Sequence, residues 1–334
     1  MKKKISVITL IISILMILTS CKDSKEQDNI DVKVSEFRNL NWASTYIADA
    51  LGYFEDEGLN ISFDIYKDGP IAFQGMHAGD SDFCLLSVEP VIRASEEGFD
   101  SSLILTNTDN RTYAFATRGD IQNVKDLKGK TIFGGMPGSS PYSFVLSILE
   151  EAGLSENDVS FVNLEYEAAI AALENKQVDG IFMNIYNEKE LLEAIPNAKI
   201  LIDLTDESLH SKLYDTKYSQ TTIVTCTKEF AEKNPETVQK FTNASVKALK
   251  YIDENEVGKI AEVLLPYFDG MSKEELKTRF SSIKSSYSKT GEIDRAGYET
   301  IENFCIDQGL IRRAIGYDNI VQEEFVKKAL ENNK

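Results

Sequence analysis

Histidine is almost absent from this chain of 334 residues, which contains only His77 and His210. The two lie far apart and outside HxxH or HExxH spacing, which argues against a zinc site. The run GGMPGSS lacks the Gly-Lys-Ser/Thr ending of a P-loop, and no GxSxG nucleophile elbow occurs. Acidic residues are abundant throughout, so no carboxylate pair stands out as a catalytic dyad. We therefore expect no bound metal, no cofactor and no enzymatic activity.

Basic residues are also in deficit, with 36 lysines and arginines against 54 aspartates and glutamates and a net charge of −18 at pH 7. No basic stripe is present to neutralise phosphates, which argues against nucleic acid as a partner. The net charge says little about a small anionic ligand, because local groups hold such a ligand.

Cysteine occurs four times, at Cys21, Cys84, Cys226 and Cys305, without CxxC spacing. Cys84 and Cys226 lie in apolar, strand-like runs, where we expect them to be small buried hydrophobic side chains. The sequence leaves open whether any two of Cys84, Cys226 and Cys305 form a disulfide.

Only the first twenty residues contain a long hydrophobic run. Lys2–Lys4 are basic, and Ile5–Leu18 form an apolar stretch that is short for a bilayer span. The Leu-Thr-Ser-Cys sequence that follows resembles the cleavage box of a bacterial lipoprotein signal. The resemblance implies that residues 1–20 are removed and that Cys21 carries a lipid. The alternatives are a plain secretory signal and an uncleaved anchor.

Residues 21–31 are polar and charged without an apolar pattern, so we expect a flexible tether. Loss of the signal, which holds three lysines and no acidic residue, would change the net charge from −18 to −21. The remainder is then an extracytoplasmic globular protein that a lipid holds at the cell membrane.

Residues 126–153 form a turn, a strand, a small-residue loop and a helix. The loop contains Gly134, Gly135, Gly138, Ser139 and Ser140. We predict Ser140 as the N-cap of the helix and Pro141 as its first residue. A helix start with free N–H groups and small neighbours can receive an anionic or electron-rich ligand group. The alternative is an ordinary strand-to-helix connection.

The chain as a whole alternates between strand and helix patterns up to residue 225, which predicts parallel strands with crossover helices. Predicted strands are 32–37, 60–66, 83–87, 102–106, 113–117, 131–134, 159–164, 180–183, 199–203 and 221–225. Predicted helices between them are 43–52, 70–78, 90–97, 166–175 and 188–194. After residue 228 the pattern is mostly helical, with helices at 235–253, 258–267, 273–287, 295–308 and 318–331.

Several short segments, in order, carry a family resemblance. They are Gly52–Leu59 (GYFEDEGL), Gly75–Phe83 (GMHAGDSDF), Asp126–Lys130 (DLKGK), Gly153–Ser155, Gln177–Gly180, Thr225–Pro235 and Gly316–Val321. Together they resemble the substrate-binding proteins of ABC importers for nitrate, alkanesulfonates, taurine and thiamine precursors. Each segment alone is weak, but the ordered set spans nearly all of the mature chain.

The resemblance implies a type II periplasmic-binding-protein fold, with two α/β lobes that close on a ligand. Residues 32–113 and 226–334 would form the first lobe and residues 114–225 the second, with crossing strands at 113–117 and 221–225. It also implies a monomer that works with an ABC permease and its ATPase.

Ligands of open α/β sheets sit beyond the carboxyl ends of the strands, and this rule selects loop residues as candidates. Those candidates are Asn41, Trp42, Ser87, Glu89, Gly138, Ser139, Ser140, Asn184 and Tyr186, to which we add Arg111 near the predicted hinge. Trp42 either stacks on a ligand or packs in the core. Glu89 either accepts from a ligand amine or caps its helix, and Arg111 either pairs with an anion or is an ordinary surface residue. Many relatives have a Trp-Glu-Pro turn where this chain has Asn184–Tyr186.

A binding protein that delivers a small polar solute to an ABC permease is the function predicted first. The solute is either a sulfonate-like anion or a pyrimidine-like ring. Two alternatives remain, a surface enzyme that uses the same cleft for a pyrimidine-like substrate and a two-lobed sensor without transport.

Overall fold

The computed structural model describes residues 29–216, 218–219 and 222–333. The predicted signal, Cys21 and residues 22–28 of the predicted tether lie outside these ranges. The first strand begins at Ile30, so the last two residues of the predicted tether belong to the fold. Within the described ranges, no helix is long and apolar enough to cross a membrane.

The first lobe is built on a five-stranded sheet with the spatial order β2-β1-β3-β10-β4. The neighbours of β1 run parallel to it, whereas β10 is antiparallel to both β3 and β4. Its strands are β1 (Ile30–Glu36), β2 (Leu59–Ile65), β3 (Phe83–Leu86), β4 (Ser101–Thr106) and β10 (Ile223–Thr227). The helices between them are α1 (Ala43–Ala50), α2 (Gly69–Ala78) and α3 (Val88–Glu96), with a further helical turn at Tyr53–Asp56.

A second five-stranded sheet, in the order β7-β6-β8-β5-β9, forms the second lobe. Its strands are β5 (Tyr113–Thr117), β6 (Thr131–Phe133), β7 (Ser160–Phe161), β8 (Gly180–Asn184) and β9 (Lys199–Asp203). Its helices are α4 (Ser140–Glu151), α5 (Ala169–Glu174), α6 (Glu188–Ala194) and α7 (Glu207–Tyr214). The predicted architecture of two α/β lobes is confirmed.

The C-terminal part is helical, as predicted, and α9 packs on α1 of the first lobe. Its helices are α8 (Lys228–Lys233), α9 (Pro235–Glu254), α10 (Val257–Leu264), α11 (Lys273–Ser281), α12 (Arg295–Asp307) and α13 (Glu323–Asn332), with a helical turn at Tyr317–Ile320. The helix predicted over 318–331 is interrupted because Val321 bridges to Leu103 of β4 and the Gln322 N–H donates to the Leu103 carbonyl at 3.0 Å. Neither α7 nor α8 was predicted.

The two predicted crossing strands are each part of a single sheet. β5 pairs with β8 and β9 in the second lobe, and β10 pairs with β3 and β4 in the first. The chain instead passes between lobes through residues 107–112 and again before β10. These connections are bonded to each other, since Thr108 Oγ1 lies 2.6 Å from Thr222 Oγ1 and the Asn107 N–H donates to the Thr222 carbonyl at 2.7 Å.

Cys84, Cys226 and Cys305 are all buried and free, which answers the question that the sequence left open. Burial raises the pKa of both the Cys84 and the Cys226 thiols to about 12. The expectation that Cys84 and Cys226 are small buried hydrophobic side chains is confirmed.

Candidate functional site

A cleft of about 790 Å³ lies between the two lobes. Its walls come from residues that follow the carboxyl ends of β1, β2 and β3 in the first lobe and of β6, β7 and β8 in the second. Such strand ends are where ligands sit in open α/β sheets. The C-terminal part adds Tyr267, Asp269 and Arg279 to the wall.

The structure brings most of the predicted site residues to this cleft. Seven of them line it, namely Asn41, Trp42, Ser87, Ser139, Ser140, Asn184 and Tyr186. The other three, Glu89, Arg111 and Gly138, do not line the cleft and lie behind or beside its wall. No histidine or cysteine is among the lining residues, and no cluster in the described ranges could hold a metal ion.

An aromatic pair spans the cleft. Phe37 follows β1 in the first lobe, and Tyr166 follows β7 in the second. Their ring centroids are 6.4 Å apart and their planes are 23° from parallel. Trp42 packs against Phe37 in a T-shaped arrangement with ring centroids 6.1 Å apart, and Phe133 packs against Tyr166 in the same way at 5.5 Å. Both rings are therefore fixed in orientation by neighbours within their own lobe.

Trp42 is mainly a core residue, although its ring borders the cleft. Its side chain is 1% exposed, and its Nε1–H donates to the Phe37 carbonyl at 3.0 Å. This hydrogen bond satisfies the one polar group of the indole. The sequence allowed Trp42 either to stack on a ligand or to pack in the core, and its burial fits packing. Trp42 supports Phe37, and Phe37 is the ring that faces Tyr166 across the cleft.

Glu89 and Arg111 form a buried ion pair behind the cleft wall. Arg111 Nη2 lies 2.8 Å from Glu89 Oε1, and both side chains are at most 1% exposed. Ser140 donates to the same carboxylate oxygen at 2.8 Å, and Arg111 Nε donates to Ser219 at 2.7 Å. Burial opposes the charge of Arg111, but Glu89 offsets this effect and the pKa of Arg111 is raised. We expected Arg111 either to pair with a ligand anion or to lie on the surface. It does neither, because it is buried and its partner is Glu89.

The α4 start differs from the prediction. Ser139 is the N-cap, since its side chain accepts from the Tyr142 N–H at 3.4 Å, and Ser140 is the first helical residue. Ser140 is thereby free to contact Glu89 in the other lobe. Gly138 has a φ of +87°, a left-handed backbone conformation that L side chains rarely adopt, so the position favours glycine.

Asn41 and Asn184 meet from opposite lobes. Asn41 Nδ2 donates to Asn184 Oδ1 at 3.4 Å, and Thr112 Oγ1 lies 3.0 Å from the amide oxygens of both. Tyr186 lies two residues further along the chain, and burial raises its pKa. These amides give the cleft neutral donors and acceptors.

The comparison with known families agrees with this geometry. The sequence model of the NMT1/THI5-like proteins matches residues 39–256, which include the carboxyl ends of β2, β3, β6, β7 and β8 at the cleft. The chain belongs to the NMT1/THI5-like family.

Two relatives of this NMT1/THI5-like protein have names that give different ligands. A Bacillus subtilis protein provisionally named as aliphatic sulfonates-binding is 27% identical over 100% of this chain and 98% of its own length. The riboflavin-binding protein RibY of Chloroflexus aurantiacus is 23% identical over 74% of each chain.

Solved structures of the same fold include the alkanesulfonate-binding protein SsuA of Xanthomonas axonopodis pv. citri, with a TM-score of 0.71 and 16% identity over 88% of this chain and 99% of that one. The predicted type II periplasmic-binding fold is confirmed by such neighbours. The desulfurization enzyme DSZB, with a TM-score of 0.65 and 15% identity over 91% of this chain and 100% of its own, shares the fold too. The fold alone therefore does not decide between binding and catalysis.

Four of the residues that line this NMT1/THI5-like cleft and that sequence reasoning missed matter for the site, namely Phe37, Arg38, Tyr166 and Arg279. Phe37 and Arg38 directly follow β1, and Tyr166 lies five residues after β7, so the strand-end rule could have included them. Arg279 belongs to α11, far along the chain, and no local signal places it there. It donates to Asn187 and lies 3.0 Å from Glu190, so it links the C-terminal part to the second lobe at the cleft.

Proposed function

We propose that the protein is a lipid-anchored, extracytoplasmic receptor that captures a small planar polar solute and delivers it to an ABC permease. The observation that carries this proposal is the pair of facing rings, Phe37 and Tyr166, one from each lobe. A planar solute between them would touch both lobes only when the lobes are closed. Ligand binding would then shift the open–closed population and allow a permease to distinguish the loaded receptor.

The charges of the cleft favour a neutral or amino-bearing solute over a sulfonate or nitrate. Three cationic side chains and four acidic ones line it, namely Arg38, Lys67, Arg279, Glu165, Glu167, Glu190 and Asp269. Each of the three cations has a carboxylate within 4.0 Å. An incoming anion would therefore have to compete with internal partners. A pyrimidine-like ring, held by stacking and by the amides of Asn41 and Asn184, fits these groups better.

The lipid anchor is proposed from the sequence alone, from the signal-like residues 1–20 and Cys21. Cells that express the full chain should incorporate labelled palmitate into the protein, and Cys21→Ser should abolish the label. Because Cys84, Cys226 and Cys305 are buried, the label should not move to them. An equal signal in the Cys21→Ser variant would contradict the anchor but not the binding function.

Calorimetry and thermal denaturation of the mature protein with a panel of solutes test the binding function. The panel contains aminopyrimidines, riboflavin, nitrate, taurine and methanesulfonate. We expect saturable binding and a higher melting temperature with a planar member, and chemically unchanged solute afterwards. Binding of the anions alone would contradict the planar class, and conversion of the solute would favour the enzyme. Uptake of labelled solute by cells, lost on deletion of the gene, separates transport from sensing.

A further inference from the structure

The helix start that the sequence suggests as an anion receptor already contacts an anion, which the protein itself supplies, through the hydroxyl of Ser140. Glu89 extends from the first turn of α3 in the first lobe and accepts from Ser140, the first residue of α4 in the second lobe, at 2.8 Å. Arg111, on the connection between the lobes, completes the pair at 2.8 Å. A carboxylate, a guanidinium and a helix start are the three parts of an occupied anion site.

We propose that Glu89 is an internal anion that fills this site and makes the cleft selective for solutes without an anionic group directed at α4. The inference deepens the proposed function and rests on it only for the identity of the solute. Glu89 is a specificity-determining residue, since it acts by occupying Arg111 and Ser140.

The remaining contacts of Arg111 support this assignment. Its Nη1 donates to Ser140 at 3.1 Å and its Nε donates to Ser219 at 2.7 Å. The guanidinium carbon also lies 4.6 Å from the centre of the Tyr214 ring. Each of the three guanidinium nitrogens thus has a partner within the protein, and Glu89 neutralises the charge of Arg111, so a solute anion would have to displace these contacts.

The pair lies directly behind the cleft wall. Ser87, Pro90, Tyr113 and Ser140 line the cleft, and Glu89 lies between Val88 and Pro90 at the start of the same helix. Removal of the carboxylate would therefore leave a positively charged vacancy beside the cleft.

The carboxylate is not held by a complete set of hydrogen bonds. Glu89 Oε2 is buried and has no hydrogen-bond partner among the described residues. A buried oxygen without a hydrogen-bond partner lowers the stability of the folded protein. The surrounding residues are therefore not arranged to satisfy both oxygens of this carboxylate. Its negative charge opposite Arg111 is what the site requires, and a small external anion can supply the same charge.

Chemical rescue of Glu89→Ala in the full-length, detergent-solubilised protein tests the proposal, with formate as the probe. We expect the melting temperature of this variant to rise saturably with formate, by about 2 °C or more, while the wild type responds weakly. Formamide has nearly the same shape without the charge and should not rescue. Nitrate should act like formate, because both are small monovalent anions.

A second variant separates anion binding from a general effect of salt. Glu89→Ala combined with Ser140→Ala removes one donor and should weaken the formate response at least several-fold. If Glu89→Ala does not fold, Glu89→Ser also removes the carboxylate and leaves room for a small anion, and its response to formate and formamide is compared instead. A folded variant that responds equally to both probes, or to neither, would overturn the internal-anion assignment. Neither result depends on which solute the protein binds, so the proposed function would be tested separately.

Discussion

Phe37 and Tyr166 face each other across the cleft from different lobes, with ring planes 23° apart and centroids separated by 6.4 Å. Favourable aromatic contacts have carbon atoms about 3.5–4.0 Å apart, so a flat ring between two others needs roughly 7 Å. The observed separation is slightly smaller than this. A small opening of the lobes would admit a planar solute, and closure would then bring both rings into contact with it.

Phe37→Ala should weaken binding of a planar solute by about 3- to 10-fold, because an aromatic pair contributes about 0.5–1.5 kcal/mol beyond its buried area. Tyr166→Phe keeps the ring and should retain near wild-type affinity, whereas Tyr166→Ala should not. Phe99→Ala is a matched control, since Phe99 is 47% exposed and does not line the cleft. Titration calorimetry measures all four variants. Equal affinities for Phe37→Ala and Phe99→Ala would show that Phe37 does not contact the bound solute.

The Glu89–Arg111 pair makes a prediction about stability that is separate from ligand selection. Arg111→Met leaves a buried carboxylate without its cation and should lower the free energy of unfolding by about 3–5 kcal/mol. The double variant Glu89→Leu with Arg111→Met should recover much of the loss, because an apolar pair of similar volume replaces a buried ion pair at little cost. Urea unfolding followed by circular dichroism measures these two variants and Glu89→Leu alone. Losses that simply add in the double variant would show that the two side chains are not coupled.

The three buried thiols should be chemically inert in the folded protein. Burial raises the pKa of Cys84 and Cys226 to about 12, and that of Cys305 is raised as well. A thiol reagent at pH 8 should therefore react with none of them before unfolding and with all three in guanidinium chloride. The mature Cys21→Ser protein is the right sample, since it lacks the fourth cysteine. Fast labelling of any thiol in the native state would contradict the buried positions.

The predictable part of the fold rests on local patterns. The strand over 113–117 and the helix over 188–194 are predicted with the bounds observed, because apolar periodicity and flanking turns define both. The break at Val321 and the short β7 depend on contacts with distant segments, which a local pattern does not contain. α7 is the clearest omission, since it follows β9 closely and contains few apolar residues.

For the candidate site too, one part could be predicted from the sequence and another could not. The strand-end rule places Asn41, Ser87 and Asn184 at the cleft, because the position of a loop follows from the order of elements. The partners of charged side chains do not follow from that order. Arg111 and Glu89 are separated by 22 positions and meet only when the two lobes are assembled, so the sequence could not show that each neutralises the other.

His210 should make the protein less stable in mild acid. Its side chain is 1% exposed in α7, its Nδ1 lies 3.0 Å from the Thr216 carbonyl, and its Nε2 has no hydrogen-bond partner among the described residues. Burial, together with the nearby charge of Arg111, lowers the pKa of His210 to about 4. As the pH falls, His210 therefore takes up a proton near pH 6.5 in the unfolded chain but only near pH 4 in the folded protein.

Stability linked to His210 is fully present above pH 6.5 and is lost as the pH falls from 6.5 towards 4, with a slope of up to about 1.4 kcal/mol per pH unit. Urea unfolding at several pH values should show this slope in the wild type and a smaller one in His210→Gln. His77→Gln is the control for the other histidine, which is less buried and contacts Ser101. Identical pH profiles for the wild type and His210→Gln would mean that His210 is protonated in the folded protein at the same pH as in the unfolded chain. Its burial against Arg111 would then not govern its charge.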